Sequence, residues 1–185
     1  MRIFVAMDLT EDVRCHVAEL IAELSDAAPG ARWIRPEAMH ITLKFIGHIE
    51  VDRVEQIEKS LSTVRSQGFV EMNFRGVGCF PNVRRPRVLW AGIQSSPNLA
   101  VLAAEIERRL EPLGIPRGER IFRPHLTLAR FKETTIHKSF GNILTGLASR
   151  EFGSMSTGEF HLYQSQLKRD RAEYTRLATF GFGSL

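Results

Sequence analysis

The sequence lacks any apolar run near 18 residues, the length that a membrane-spanning helix requires. The apolar stretch within residues 1–9 is short and is broken by Asp8, so it is expected to form a first strand rather than a signal peptide. Only two cysteines, Cys15 and Cys79, are present, which is too few for a disulfide framework and is typical of a reducing compartment. We therefore expect a cytoplasmic protein with no membrane partner.

The phosphate-binding and nucleophile motifs of several large enzyme classes are also missing. The sequence contains no G-x-x-x-x-G-K-[ST], no G-x-G-x-x-G and no G-x-S-x-G pattern. Its hydrophobic content of 43% and charged content of 25% are ordinary for a globular protein, and 185 residues are enough for one sizeable core. No Pro-, Gly- or Ser-rich linker divides the chain, so residues 1–185 are expected to form a single two-lobed domain.

Positive charge is in mild excess and is clustered. The net charge is +4 and the isoelectric point is about 9.4. The basic residues gather in three groups, namely Arg84, Arg85 and Arg87; Arg117, Arg120 and Arg123; and Lys168, Arg169 and Arg171. Clustered arginine suits phosphate-bearing partners such as nucleic acid, although such groups also occur in solvated loops.

One four-residue pattern occurs twice, at His40-Ile41-Thr42-Leu43 and at His125-Leu126-Thr127-Leu128, each in a run that favours a β-strand. On a strand, His and Thr at positions i and i+2 share one face, while the residue between them points to the opposite face. Polar residues that alternate with aliphatic ones need a hydrated or hydrogen-bonded face. Two half-buried strands whose histidines line a crevice by coincidence are the alternative.

The hydrophobic spacing predicts an α+β fold. Helices are expected over residues 11–27, 51–65, 97–110 and 135–148, and strands over 2–9, 39–46, 69–80, 85–93, 125–131, 159–167 and 173–182, with residues 168–171 as the last turn. A helix followed by a His strand recurs along this order. We therefore expect two lobes with a central cleft, to which each lobe supplies one His-x-Thr strand.

Two histidines that face each other across a cleft can serve as a general acid and a general base, because imidazole titrates near neutral pH. The chemistry that fits this pair best is in-line displacement at phosphorus, with the threonine hydroxyls on the non-bridging oxygens. Neither motif has a second His, Cys or carboxylate beside it, so no metal and no cofactor are expected. His16, His48, His137 and His161 lack a threonine partner and are expected to be surface or structural residues.

With these motifs the sequence resembles the RNA 2′,3′-cyclic phosphodiesterases, also called 2′-5′ RNA ligase-like proteins, of the two-histidine phosphoesterase superfamily. The resemblance covers nearly the whole chain. It rests on both His motifs and on the segments at residues 2–6, 80–81, 86–90 and 162–165, together with Trp33, Pro36 and Tyr174. It implies a bilobal fold with pseudo-two-fold symmetry, antiparallel sheets and external helices.

The same resemblance implies metal-free hydrolysis of a 2′,3′-cyclic phosphate to a 2′-phosphomonoester. His40 would be the proton donor, His125 the proton acceptor, and Thr42 and Thr127 the phosphate ligands. Arg130 would assist them, but strand alternation places it opposite His125 unless a bulge intervenes. Phe45, at the matching position after His40, is expected to pack in the core rather than to stack on a base.

The expected partner is RNA or an oligonucleotide with a 2′,3′-cyclic phosphate end, with small cyclic nucleotides as a further possibility, and the expected oligomeric state is a monomer. Reversible 2′-5′ joining of RNA ends is a second interpretation of the same chemistry. A nucleotide-binding module without turnover is a third, but binding alone would not need two histidines.

Overall fold

The computed structural model describes residues 1–132, 138–168 and 172–183. Within them the strands are β1 (Arg2–Asp8), β2 (Ala31–Trp33), β3 (His40–His48), β4 (Val70–Phe80), β5 (Val88–Ser95), β6 (His125–Phe131), β7 (Glu151–Thr157), β8 (Glu159–Leu167) and β9 (Ala172–Gly181). The helices are α1 (Glu11–Ser25), α2 (Val54–Leu61), α3 (Asn98–Leu110) and α4 (Lys138–Gly146), and short 3-10 turns cover Pro36–Ala38, Val51–Arg53 and Glu111–Leu113.

The strands form two antiparallel sheets, with the orders β3-β1-β8-β9 and β2-β6-β5-β4-β7. We refer to them as the first and the second sheet. The first contains the strand of the first His motif, and the second contains the strand of the second motif. The expectation of a bilobal α+β fold in which each lobe supplies one motif strand is confirmed.

The chain crosses between the two sheets several times. Strands β8 and β9, from the last third of the sequence, extend the first sheet, because β8 pairs with β1 and β9 pairs with β8. Helix α1, which follows β1, packs instead against β7 and β2 of the second sheet, and α3 packs against β3 and α2. Each lobe is therefore built from both halves of the sequence.

One cluster of buried apolar side chains includes members of both sheets and of all four helices. Helix α1 contributes Val13, Val17, Leu20 and Leu24 at the three- and four-residue spacing that places side chains on one helix face. Ile21, which follows Leu20 on the edge of this face, is only partly buried. On the core side of β3, the buried Lys44 donates hydrogen bonds to Glu107 of α3 (2.8 Å) and to the Pro116 carbonyl (2.7 Å). The bond to Glu107 joins α3 to the strand of the first motif, and the bond to Pro116 joins that strand to the segment after the helix.

Helix α2 is shorter than expected. In place of one helix over 51–65, a 3-10 turn at Val51–Arg53 precedes an α-helix that ends at Leu61. After that residue the hydroxyls of Ser62 and Thr63 donate to the carbonyls of Lys59 (2.8 Å) and Ser60 (2.7 Å). Such local side-chain hydrogen bonds compete with continuation of a helix, so the hydrophobic spacing overestimated its length.

Two strands, β2 and β7, are absent from the sequence-based expectation. Strand β2 has three residues, too few for an alternating pattern to show. In β7 the buried residues Phe152 and Met155 are three positions apart, because the β4–β7 pairing shifts register between Asn73 and Arg75. The remaining predicted helices and strands are confirmed to within a few residues wherever the structure describes them.

The start of the predicted helix 135–148 and the centre of the predicted turn 168–171 lie outside the described residues, as does His137. Among the described residues, no helix is long and apolar enough to cross a membrane. Both cysteines are free thiols, with Cys15 exposed and Cys79 buried. The cytoplasmic location stays a prediction.

Candidate active site

The two motif strands carry the same irregularity at the same position. In the β1–β3 pairing, Ala6 lies opposite Thr42 and Val5 opposite Lys44, so that Leu43 has no partner. In the β5–β6 pairing, Trp90 lies opposite Thr127 and Leu89 opposite Ala129, so that Leu128 has no partner. The leucine that ends each four-residue motif is therefore a β-bulge, which inserts one extra residue and reverses the side-chain alternation beyond it.

The bulge decides which later residues join the cleft. After it, the fifth residue beyond each histidine lies on the same face as that histidine: Phe45 on β3 and Arg130 on β6. Arg130 was expected to reach the cleft only if a bulge intervened, and the bulge at Leu128 supplies that change of face. The expectation that Phe45 packs in the core is wrong, because its side chain is 49% exposed.

Both motif histidines are oriented by the same hydrogen bond. The Nδ1 atom of His40 lies 3.0 Å from the Ala38 carbonyl oxygen, and that of His125 lies 2.8 Å from the Arg123 carbonyl oxygen. A carbonyl can only accept, so in each neutral ring Nδ1 carries the proton and Nε2 keeps its lone pair. In each ring, Nε2 is therefore available to accept or donate a proton.

The first motif lines a cavity of about 530 Å³, which we call the basic cavity. His40, Thr42 and Phe45 contribute to its wall from β3, and Arg130 contributes from β6 of the second sheet. His125 and Thr127 do not line this cavity, but they share the face of β6 that carries Arg130, and β3 and β6 contact each other. Neither threonine hydroxyl makes a hydrogen bond to a described residue.

His40 is half-buried among aromatic rings of the first sheet. Its ring centroid lies 4.6 Å from that of Phe4 and 5.0 Å from that of Tyr174, which meets it edge-on, while Tyr163 stacks on Phe4 at 5.4 Å. Burial among these rings lowers the pKa of His40 below its ordinary value of 6.5. The charge of Arg130 acts in the same direction, whereas the Ala38 carbonyl and the Asp8 carboxylate oppose it.

Asp8 lies directly opposite His40 in the β1–β3 register and is held by two neighbours. The Tyr163 hydroxyl donates to one carboxylate oxygen at 2.5 Å, and the Arg176 guanidinium forms an ion pair with the other. Burial, followed by the bond to Asp8, raises the pKa of Tyr163 to about 12, so the phenol stays protonated and remains a donor. The carboxylate beside His40 is thus fixed in place.

His125 has a different environment. The Phe80 ring meets it edge-on at 5.1 Å, and Trp90 lies 5.3 Å from Phe80. The Trp90 indole covers Gly78 on the neighbouring strand so closely that an added Cβ atom would clash with the ring. His40 is therefore surrounded by three aromatic rings and His125 is flanked by one, although the two strands that carry them are alike.

Two other histidines share the cleft face of the first sheet, since His48 lies opposite Arg2 and His161 lies opposite Ala6. His16 and His48 are exposed. His161 on β8 is 2% exposed; its Nδ1 lies 3.0 Å from the Thr179 hydroxyl, and its Nε2 lies 3.7 Å from a carboxylate oxygen of Asp8. It is thus a buried neighbour of Asp8, in keeping with a structural role. Within the described part of the chain, no group of three or more His, Cys, Asp or Glu side chains is placed to hold a metal ion.

Sequence reasoning did not assign Asp8, Tyr163, Tyr174 and Arg176 to the site. For Asp8 a signal was available, since alternation along β1 puts Arg2, Phe4, Ala6 and Asp8 on one face, with a charge at each end of an otherwise apolar strand. For the others no local signal exists. They reach His40 only because β8 pairs with β1 and β9 pairs with β8.

The sequence of this chain is similar to a known protein family along most of its length. The family model described as LigT-like phosphoesterase matches residues 7–90 and 92–174. The RNA 2′,3′-cyclic phosphodiesterase of Archaeoglobus fulgidus is 36% identical over 180 residues, which cover 97% of this chain and 99% of the relative. That of Methanothermobacter thermautotrophicus is 32% identical, covering 97% of this chain and 98% of the relative.

Solved structures share the fold over its full length. A crystal structure of a protein of Thermus thermophilus superposes with a TM-score of 0.83 at 27% identity, covering 100% of this chain and 99% of the other. Escherichia coli LigT in complex with 3′-AMP superposes with a TM-score of 0.79 at 24% identity, covering 98% and 97%. The second likeness is one of fold alone.

Proposed function

This chain belongs to the LigT-like phosphoesterase family, and on that premise we propose that it hydrolyses the 2′,3′-cyclic phosphate at an RNA end to a 2′-phosphomonoester. The observation that carries the proposal is the repeated motif strand. Two strands from different sheets present a histidine, a threonine and, beyond a matching bulge, one further side chain on one face. In both, a backbone carbonyl orients the histidine in the same way.

In the proposed reaction, Nε2 of His125 takes a proton from water while the water oxygen attacks phosphorus. The bond between phosphorus and the ribose O3′ breaks on the opposite side, and Nε2 of His40 gives its proton to the departing oxygen. The phosphate stays on O2′. This division of roles follows the family resemblance, and the need for two roles follows from the repeat.

Thr42 and Thr127 are proposed to donate hydrogen bonds to the non-bridging phosphate oxygens, on which negative charge grows during attack. Neither hydroxyl makes a hydrogen bond to a described residue. Each threonine lies two residues beyond its histidine, on the same face of the strand. Arg130, which shares the cavity wall with His40 and Thr42, is proposed to balance the same charge.

The lowered pKa of His40 fits a donor that becomes charged only when substrate is present. In the free protein burial keeps the ring neutral at pH 7. A phosphodiester held between the threonines adds a negative charge beside the ring, which favours its protonated form. The proton that the leaving oxygen needs is thus supplied together with the substrate.

We further propose that residues 1–185 act as a single two-lobed phosphoesterase domain. Its support is the buried cluster that joins both sheets, together with the repeated crossing of the chain between them. The site then depends on both lobes, because Arg130 of the second sheet lines a cavity with His40 of the first.

The test is incubation with an oligoribonucleotide that ends in a 2′,3′-cyclic phosphate, with and without EDTA, followed by identification of the phosphate isomer. We expect a 2′-phosphomonoester, formed at the same rate in both conditions. A 3′-phosphomonoester would contradict the proposed bond cleavage. Loss of activity in EDTA and recovery with one divalent ion would contradict a metal-free mechanism, and joined products without hydrolysis would favour ligation.

The pH dependence follows from the surroundings of His40. We expect a bell-shaped profile of kcat/KM, since one imidazole must be neutral and the other charged. NMR titration of the free protein should give His40 a pKa below 6.5, because burial outweighs the Asp8 carboxylate. Asp8→Asn removes the charge that raises this pKa, so the His40 titration and its limb of the profile should move to lower pH.

Glu37→Gln is the matched control for Asp8→Asn. Glu37 lines a cavity together with Asp8 and His40, but it is not among the groups that set the pKa of His40. It should leave the His40 titration unchanged. A His40 pKa above 6.5, or an upward shift in Asp8→Asn, would contradict the assigned balance of burial and charge.

A further inference from the structure

Two cavities meet at His40 on the cleft face of the first sheet. The basic cavity extends along β3 past Thr42 and Phe45. A second cavity of about 560 Å³ extends past Asp8 and Arg176, and we call it the mixed cavity. An RNA chain whose cyclic end lies at His40 has to leave along one of these paths.

The charges of the two cavities differ. The basic cavity is lined by Arg2, Arg32, Arg35 and Arg130, and its described lining contains no aspartate or glutamate. The mixed cavity holds two carboxylates, Asp8 and Glu37, against two arginines, Arg14 and Arg176, and Arg176 is already paired with Asp8. A polyanion is therefore attracted to the basic cavity and gains little binding energy in the mixed cavity.

The basic cavity also has a flat apolar surface. The bulge at Leu43 turns Phe45 to the cleft, where its side chain is 49% exposed. The guanidinium carbon of Arg2 lies 4.7 Å from the centroid of this ring. A half-exposed phenylalanine beside arginine is the combination on which single-stranded nucleic acids stack their bases and bind their phosphates.

Resting on the proposed function, we propose that the basic cavity binds the nucleotide that precedes the cyclic end. Phe45 stacks on its base, and Arg2 and Arg35 contact the phosphodiester that joins it to the terminal nucleotide. The terminal cyclic phosphate carries one negative charge, which Arg130 meets beside His40 and Thr42. The arginines farther along the cavity therefore match a charge that an RNA chain has and a mononucleotide lacks.

The test compares equilibrium binding of two ligands, a nucleoside 2′-monophosphate and a trinucleotide that ends in the same nucleoside 2′-phosphate. The unmodified protein should bind the trinucleotide more tightly. Phe45→Ala should weaken trinucleotide binding by about 5- to 150-fold, the range for loss of one stacked base, and mononucleotide binding by less than about twofold.

Arg35→Ala should weaken trinucleotide binding and make the slope of log K against log salt shallower by about 0.7, the value for one phosphate of a single strand. The matched controls are Phe69→Ala, which removes an exposed ring outside the cavity, and Arg108→Ala, which removes an exposed charge on α3. Both should leave the binding of both ligands unchanged.

Equal affinity of the unmodified protein for the two ligands would overturn this assignment. So would an equal loss for both ligands in Phe45→Ala, because Phe45 would then contact the terminal nucleotide. Binding needs no turnover, so a protein that binds as expected but releases no 2′-phosphomonoester from cyclic ends would contradict the proposed function while supporting the subsite.

Discussion

His40→Ala and His125→Ala are each expected to lower the rate of cyclic-phosphate hydrolysis by about 10²–10⁴-fold, the usual contribution of one general acid or base. Each ring is held by a carbonyl two residues upstream, so truncation removes the proton-transfer group and leaves its strand paired as before. Neither side chain is fully buried, so the cavity left behind should cost little stability. The measurement is the steady-state rate on an oligonucleotide with a cyclic end.

His48→Ala is the matched control, because His48 lies at the exposed end of the same strand as His40. It should keep the rate of the unmodified protein, and all three variants should keep its circular dichroism spectrum. If His40→Ala or His125→Ala retains more than half of the rate, the paired-histidine mechanism is wrong.

The repeated motif contained most of the information about the site. His40 and Thr42, like His125 and Thr127, share a face because strand alternation leaves no other arrangement for residues two apart. Beyond Thr42 and Thr127 the same alternation failed for Phe45. Bulges at Leu43 and Leu128 reverse the faces, and a bulge arises from the pairing of two strands rather than from the residues of one.

The surroundings of His40 were harder to predict for the same reason. Tyr163 lies on β8, and Tyr174 and Arg176 lie on β9, two strands whose existence the alternation indicated. They reach the site because β8 pairs with β1, which joins residues more than 150 positions apart, and β9 pairs with β8. Helix α1 shows the converse case. Its apolar stripe was evident from spacing, whereas the sheet that it covers depends on how the chain crosses between the lobes.

The lowering of the His40 pKa likewise could be predicted only from the fold. A histidine in a cleft was expected to titrate near neutrality, but three aromatic rings from three strands cover part of the His40 ring and reduce its contact with water. The opposing effects of Asp8 and Arg130 come from different sheets. A bell-shaped pH profile reports the two histidines as a pair, so the assignment of acid and base is tested by changing the leaving group.

The two roles can be separated with a substrate whose leaving group needs no proton. A 4-nitrophenyl phosphodiester on the 2′-oxygen of a 3′-deoxynucleoside places nitrophenoxide where O3′ would leave, and the missing 3′-hydroxyl prevents internal attack. If His40 is the acid, His40→Ala should hydrolyse this substrate within about tenfold of the unmodified protein, because its contribution of about 10²–10⁴-fold is no longer needed.

His125→Ala should still lose about 10²–10⁴-fold on the aryl substrate, because water must be activated whichever group leaves. The readout is the ratio of rates on the aryl and cyclic substrates for each variant, so that a general loss of binding or folding cancels. The reverse pattern would exchange the roles of the two histidines and keep the mechanism. Equal losses in both variants on the aryl substrate would contradict either assignment, since a pair that divides acid and base work cannot be equally sensitive to a leaving group that departs without a proton.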